Sequence, residues 1–197
     1  TTGTLFKFIE RISNQVDIKV VVIVNSLQKT GCEEYMEFYR KVYESKLGQY
    51  AMQRLYNSFD QFILKIVNLN TIAVHVDSGR AIPLFMNVSI ACDSRIVAVT
   101  TVFQKPSLER GLVPDGGSGF FLSKMLGRTK AYEIMLSDED MSAQEALKLG
   151  IVDEVIPLEK LEEFSLDRAR RFARKPASTL QGVKRLLSYS LKDLQDY

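Results

Sequence analysis

The chain has 197 residues, enough for one domain with a sizeable core, and its 46% hydrophobic and 25% charged content is ordinary for a soluble globular fold. A formal charge of +2 gives no electrostatic case for nucleic acid, and no apolar run is long enough to span a bilayer. Cys32 and Cys92 lie far apart, a spacing that suggests no disulfide framework, no CxxC redox pair and no zinc site, so reduced thiols in a cytoplasmic setting are expected. In chain order, TLFKFIERISNQ places Leu5, Phe8, Ile9 and Ile12 at helical spacing. VDIKVVVIVNS is a continuous β-branched run and predicts a buried strand. Cys32 to Ser45 carries Tyr35, Phe38, Tyr39 and Val42 on one helical face, a stripe that reads as packing; Gly48 ends it, and a second helix is predicted over Met52 to Asn68. Thr71 to Val76 predicts a short strand.

GRAIPLFMNVSIACDSRIVAVTTVF predicts a buried helix in its first half, with Pro83 in the first turn, and a strand from Arg95 to Thr101. Three helices follow the loop GLVPDGGSGF, the first of them FFLSKMLG. In MSAQEALKLG, Ser142 and Glu145 form a capping box and Gly150 marks the helix end. IVDEVIP predicts a short strand or connector, and LEKLEEFSLDRARRFARK and PASTLQGVKRLLSYSLKDL complete a helical end. Strands alternating with helices predict an α/β domain with a largely parallel sheet, and no repeat, low-complexity tract or linker divides it. The basic cluster Arg168, Arg170, Arg171, Arg174, Lys175, Lys184 and Arg185 reads as solvated helix faces, with an anionic ligand or a partner subunit as the alternative. No signal-peptide pattern opens the chain, and the start at Thr1-Thr2-Gly3 without Met is expected of a processed or trimmed N-terminus, or of one whose first residues are left out here.

Several common chemistries lack their residues. GGSGFF misses the third glycine of a dinucleotide fingerprint, no phosphate-binding loop of the GxxxxGK[ST] type occurs, and Phe120 occupies the second glycine of GxSxG. His75 is the only histidine, so a His-based metal site is excluded; it reads as a strand residue with a satisfied ring. Within GLVPDGGSGF, Asp115 sits where Pro114 and three glycines shape a turn ahead of a helix N-terminus. An ordinary loop-to-helix junction accounts for the same residues, and both readings stand at this point.

From about Val20 onward the chain resembles the crotonase superfamily, the enoyl-CoA hydratase/isomerase fold. SIACDSRI (Ser89 to Ile96) is similar to that family's helix-to-strand signature, small-apolar-Ala-Cys-Asp-x-Arg-Ile. FQKPSLERGLVPDGGSGFFLSKMLGRTKAYEIMLSDEDMSAQEALKLGIVDEVIP follows the family's phrase Phe-x-x-Pro-Glu-x-x-x-Gly-x-x-Pro, its Gly-rich turn and its Ala-x-x-x-Gly-Leu-Val ending. The resemblance implies a crotonase-like ββα spiral over residues 1–197, with residues 152–197 as a helical C-terminal trimerisation region. It also implies a homotrimer or hexamer and an acyl-CoA ligand whose thioester carbonyl lies between two backbone N–H groups, the oxyanion hole. CoA would enter as part of the substrate, with no separate cofactor and no metal.

Carried over residue by residue, one N–H falls at Leu84, where Pro83-Leu84-Phe85 replaces the family's glycine triplet, and the other at Glu33 in Gly31-Cys32-Glu33-Glu34. Asn87 and Ser107 stand where hydratases carry their two glutamates, and neither can cycle a proton near neutral pH as glutamate can. Some family members use an aspartate in the Gly-rich turn as base or nucleophile, which makes Asp115 the catalytic candidate and Glu109 the second. The resemblance therefore implies an acyl-CoA isomerase that shuttles one proton. The alternatives are a non-catalytic binding or scaffold protein of the same fold, or a thioester or carbon–carbon hydrolase using His75 or Glu33. The family's opening β-hairpin and the loop contacting the adenine end of CoA have no counterpart in the sequence, which begins to match at Thr4-Leu5-Phe6.

Overall fold

The computed structural model describes residues 2–13, 15, 17–25, 32–44, 48–104 and 117–187. In chain order the first half comprises α1 (Thr2–Ser13), β1 (Val20–Val24), α2 (Cys32–Tyr43), α3 (Gly48–Val67), β2 (Ile72–Asp77), β3 (Arg80–Ala81), α4 (Pro83–Ala91) and β4 (Ser94–Ala98). The second half comprises β5 (Val102–Phe103), α5 (Ser118–Leu126), α6 (Arg128–Leu136), β6 (Met141–Ser142), α7 (Ala143–Lys148), β7 (Glu154–Ile156), a short 3-10 turn over Leu158–Lys160, α8 (Leu161–Ala173) and α9 (Ala177–Leu187).

The apolar runs build one parallel sheet in the order β1-β2-β4-β7, with Val20 opposite Ile72, Val74 opposite Ser94 and Ile96 opposite Glu154. Successive residues of a strand face opposite sides, so the sheet has two cores. Val74, Val76, Ile96 and Ala98 pack with Leu161 of α8. Ala73 and Val97 belong instead to the larger cluster with Ile63 and Ile66 of α3, Met86 and Ile90 of α4, and Phe120 and Leu122 of α5. A smaller sheet, β3-β5-β6, sits beside it; β5 runs parallel to β3 and antiparallel to β6. This is the α/β architecture expected from the alternating elements.

Several local expectations hold. Pro83 opens α4, and Gly127 follows α5. The Ser142 hydroxyl accepts from the Glu145 N–H at 3.2 Å while the Glu145 carboxylate accepts from the Ser142 N–H at 2.8 Å, closing the capping box at α7. Gly150 has φ of 74°, the left-handed conformation that stops the helix.

Others are corrected. β1 is an edge strand and half-buried, not a buried one; Val24 is 60% exposed. A β-branched run has the same composition at an edge and at a centre, and strand order decides which it is. The Arg95–Thr101 strand stops at Ala98, and α3 begins at Gly48 rather than Met52. Phe8 and Phe38 are exposed members of their helical stripes; Phe8 lies under the Arg11 guanidinium, 5.5 Å from its ring centre.

The basic cluster divides. Arg171 pairs with Asp167 on the α8 surface at 3.0 Å, and Arg168 pairs with Glu154 of β7. Lys184 of α9 is no solvated charge: it is 8% exposed, and its ammonium donates to the Thr71 carbonyl at 3.0 Å and to the Asp93 carboxylate at 2.7 Å. Thr71 precedes β2 and Asp93 precedes β4, so this one cation pins α9 to the N-terminal ends of two central strands. Lys19 acts similarly on α8, donating to the Ala173 and Lys175 carbonyls at 3.0 and 3.1 Å, where a helix end leaves acceptors open.

Candidate active site

In a parallel sheet the loops that leave the C-terminal ends of the strands form the ligand crevice. Here those loops lead from β1 to α2 and from β2 through β3 to α4. Both backbone donors expected from the resemblance lie just beyond them. Glu33 is the second residue of α2, with an exposed side chain. Leu84 is the second residue of α4.

The start of α4 has three properties that suit an anion. Pro83 at the first position carries no N–H. The N-cap is Ile82, which supplies no side-chain acceptor, and the first turn contains no acidic residue. The first bond of the helix runs from the Met86 N–H to the Ile82 carbonyl at 3.1 Å, so the Leu84 and Phe85 N–H groups precede any carbonyl the helix offers them. An uncapped helix start of this kind favours negative charge through its aligned dipoles.

Asn87 lies one turn further along α4 and is 2% exposed, a neutral amide at a buried position. It has partners and is part of the packed interior. Asp115, Ser107 and Glu109 lie outside the described residues.

The signature SIACDSRI turns out to hold the frame together. The Asp93 carboxylate accepts from the Ala73 N–H at 2.7 Å as well as from Lys184. Arg95 forms a two-point contact with Asp153, its N–H and guanidinium donating at 2.7 and 2.8 Å, and a second guanidinium nitrogen donates to the Cys92 carbonyl at 2.9 Å. Cys92 is buried, and burial, reinforced by Asp93, pushes its thiol up to about 12, which leaves it inert.

His75 stands in the middle of β2, opposite Ile23 of β1 and Arg95 of β4, and is 1% exposed. Its ring is not fully satisfied as expected: Nδ1 has no hydrogen-bond partner among the described residues. Burial first, and then Arg95, push its pKa down to about 4. A ring sealed in the sheet has no route to water, which removes the reason to treat it as a hydrolytic base.

A pair that the sequence reading missed lies at the C-terminal ends of β1 and β2. The Asn25 amide donates to Oδ1 of Asp77 at 2.8 Å, and the Ser78 N–H donates to the same oxygen at 2.8 Å. Asp77 is fully buried, and Oδ2 has no partner among the described residues. Burial pushes its carboxyl up to about 6, against the two hydrogen bonds that lower it. The available signal was an ionisable residue closing the apolar run IAVHVD.

These two buried groups have opposite linkage to pH. Asp77 titrates near 6 in the fold and 3.8 in the reference chain, so its contribution is greatest below 3.8 and is lost as pH rises through 6. His75 titrates near 4 in the fold and 6.5 in the reference, so its contribution is full above 6.5 and is lost as pH falls through 4. Each shift corresponds to about 3 kcal/mol, and over the shared window the two largely cancel. Urea unfolding of Asp77→Asn should therefore gain about 3 kcal/mol between pH 4 and 6.5 relative to the unmodified protein. A parallel pH curve for the two proteins would show that Asp77 does not titrate as described.

The fold and this helix-start geometry define an α/β protein with backbone donors at the mouth of a parallel sheet. The model of the enoyl-CoA hydratase/isomerase family matches residues 3–196, and the chain belongs to that family. The sequence is 36% identical over 101 residues, 51% of this chain, to the glyoxysomal fatty acid beta-oxidation multifunctional protein MFP-a of Cucumis sativus, whose length the match covers by 13%. It is 28% identical over 113 residues to the 2,3-dehydroadipyl-CoA hydratase of Escherichia coli, covering 57% of this chain and 44% of that one. Both matches thus span less than half of the relative's length. Among solved structures, an enoyl-CoA hydratase from Bacillus anthracis superposes with a TM-score of 0.84 over 99% of this chain and 76% of that one, at 19% identity. At that identity the likeness is one of fold. Among the described residues no helix is long and apolar enough to cross a membrane, and no group of three or more His, Cys, Asp or Glu side chains could hold a metal.

Proposed function

We propose that the protein binds an acyl-CoA thioester and shifts a double bond by moving one proton between two carbons, as an enoyl-CoA isomerase does, without adding water. The observation that carries this reading is the uncapped start of α4, where the Leu84 N–H precedes any helix carbonyl and, in this reading, is the donor for the oxygen on which negative charge develops. Hydration needs two positioned carboxyl groups, and Asn87 and Ser107 occupy those positions. A proton shuttle needs one base, and Asp115 supplies it in this reading. The Glu33 N–H is the second donor. CoA enters as part of the substrate, no separate cofactor takes part, and the setting is cytoplasmic. The assembly is a homotrimer, or a hexamer of two trimers, with residues 152–197 at the contact; light scattering reads this directly.

A second reading, an inactive acyl-CoA binder, is favoured by the buried neutral Asn87 and by side chains at 84 and 85 in place of glycine. Leu84→Gly combined with Phe85→Gly separates the two. In an enzyme the glycines loosen a working strip, and turnover falls; a loss of about 10–100-fold is expected from misplaced donors. In a binder whose cavity Leu84 and Phe85 fill, the same change opens space, and calorimetry with a short acyl-CoA shows tighter binding. Stronger binding by the double variant with no turnover by either protein would favour the second reading, and tight binding with turnover by the unmodified protein would exclude it.

A further inference from the structure

The Asn25–Asp77 pair is costly to the fold. A buried carboxylate needs its oxygens paired, and here one oxygen carries two hydrogen bonds while Oδ2 has none among the described residues. A β-branched apolar residue would suit the end of a central strand better, and Val97, the register neighbour of Asp77 on β4, is one. A half-paired buried acid of this kind calls for an explanation outside packing.

Its position offers one. Asp77 is the last residue of β2, and Asn25 directly follows β1. The Asn25 N–H continues the ladder to the Val76 carbonyl at 2.9 Å, its side chain reaches Asp77, and Asp77 in turn fixes the Ser78 N–H. The Thr101 hydroxyl adds a bond to the Asp77 carbonyl at 3.3 Å. One carboxylate therefore ties together the exits of two adjacent parallel strands. Cys32, which opens α2, comes seven residues after Asn25, and Pro83, which opens α4, comes six residues after Asp77. Glu33 and Leu84 are each the second residue of the helix that follows a tied strand end.

We propose that the Asn25–Asp77 hydrogen bond is a positioning device that sets the spacing of the segments leading to the Glu33 and Leu84 N–H groups, and that Asp77 is present for this and not for stability. The inference rests on the reading of those N–H groups as the oxyanion pair. Asp77 itself is sealed from solvent; it acts through Asn25 and Ser78. Because the donors matter most where negative charge develops on the thioester oxygen, their misalignment lowers kcat more than it raises KM.

The test compares the full-length unmodified protein with Asp77→Val, Asp77→Asn and the exchanged pair Asn25→Asp/Asp77→Asn. With a 3-enoyl-CoA substrate, Asp77→Val is expected to lose about 10–100-fold in kcat with KM within about threefold. Asp77→Asn, which keeps a neutral hydrogen bond, should fall between, and the exchanged pair should recover most of the loss. Melting at pH 8 should show Asp77→Asn at least as stable as the unmodified protein. Hydrogen exchange in peptides covering residues 32–40 and 80–90 should quicken in Asp77→Val. This last readout does not depend on turnover, so a protein that isomerises nothing would defeat the functional reading while leaving the positioning device to be judged by exchange and melting. Unchanged exchange at both helix starts, full kcat in Asp77→Val, or a lower melting temperature in Asp77→Asn would each overturn the proposal.

Discussion

Asp115→Asn is expected to lower isomerase turnover by roughly 10²–10⁴-fold, the usual cost of losing a general base. Acyl-CoA affinity should stay within a few-fold, because asparagine keeps the size and most of the hydrogen bonding of aspartate. Loss of the proton acceptor is then the one chemical change. Asn87 and Ser107 stand where the resemblance places the two hydratase glutamates, which leaves Glu109 as the other candidate to take over the step. Steady-state turnover of a 3-enoyl-CoA beside calorimetric binding of the same thioester gives both numbers. Turnover equal to that of the unmodified protein would return Asp115 to the role of a loop residue ahead of α5.

Lys184→Met should cost about 2–4 kcal/mol of stability, the penalty of breaking a buried charge pair from one side. The ammonium is buried between the Thr71 carbonyl and the Asp93 carboxylate, and breaking such a pair from one side leaves the other charge without its partner. Asp93 is partly exposed and keeps the Ala73 N–H, which moderates the loss. Methionine preserves the apolar stem, so the measured difference reports the charge and its hydrogen bonds. Because the cation pins α9 to the starts of β2 and β4, the unfolding curve should also lose cooperativity at its low-denaturant end. A midpoint in urea within error of the unmodified protein would mean that α9 docks through Leu180 and its neighbours alone.

What could be read ahead of the structure followed the range of the interaction. The capping box of Ser142 and Glu145, the stop at Gly150 and the opening of α4 by Pro83 are set by residues within a turn of each other, and they were legible. Partners distant in sequence were not. Nothing around Lys184 distinguishes it from Arg185 beside it, yet the structure buries one against residues more than ninety positions away and leaves the other exposed. β1 has the composition of a central strand and lies at an edge, because strand order is a property of the whole sheet. The tie between Asn25 and Asp77 spans 52 positions and had no local mark beyond an acid at the end of an apolar run.

The candidate site is less legible still, for a chemical reason. The donors proposed for it are backbone N–H groups, which every residue except proline carries, so neither Leu84 nor Glu33 announces itself by side chain. They were expected only from the resemblance, Leu84 from the segment ahead of the signature and Glu33 from Gly31-Cys32-Glu33-Glu34, while the signature itself, Ser89 to Ile96, is occupied with holding the frame through Asp93 and Arg95.

As proposed above, this member of the enoyl-CoA hydratase/isomerase family moves a proton and adds no water. Proton NMR of a 3-enoyl-CoA incubated with the unmodified protein tests it most directly, since substrate, isomer and hydration product have separate signals. The expected result is a 2-enoyl-CoA that accumulates with no 3-hydroxyacyl-CoA. Accumulation of the 3-hydroxyacyl thioester, or a substrate spectrum that does not change, would contradict the account.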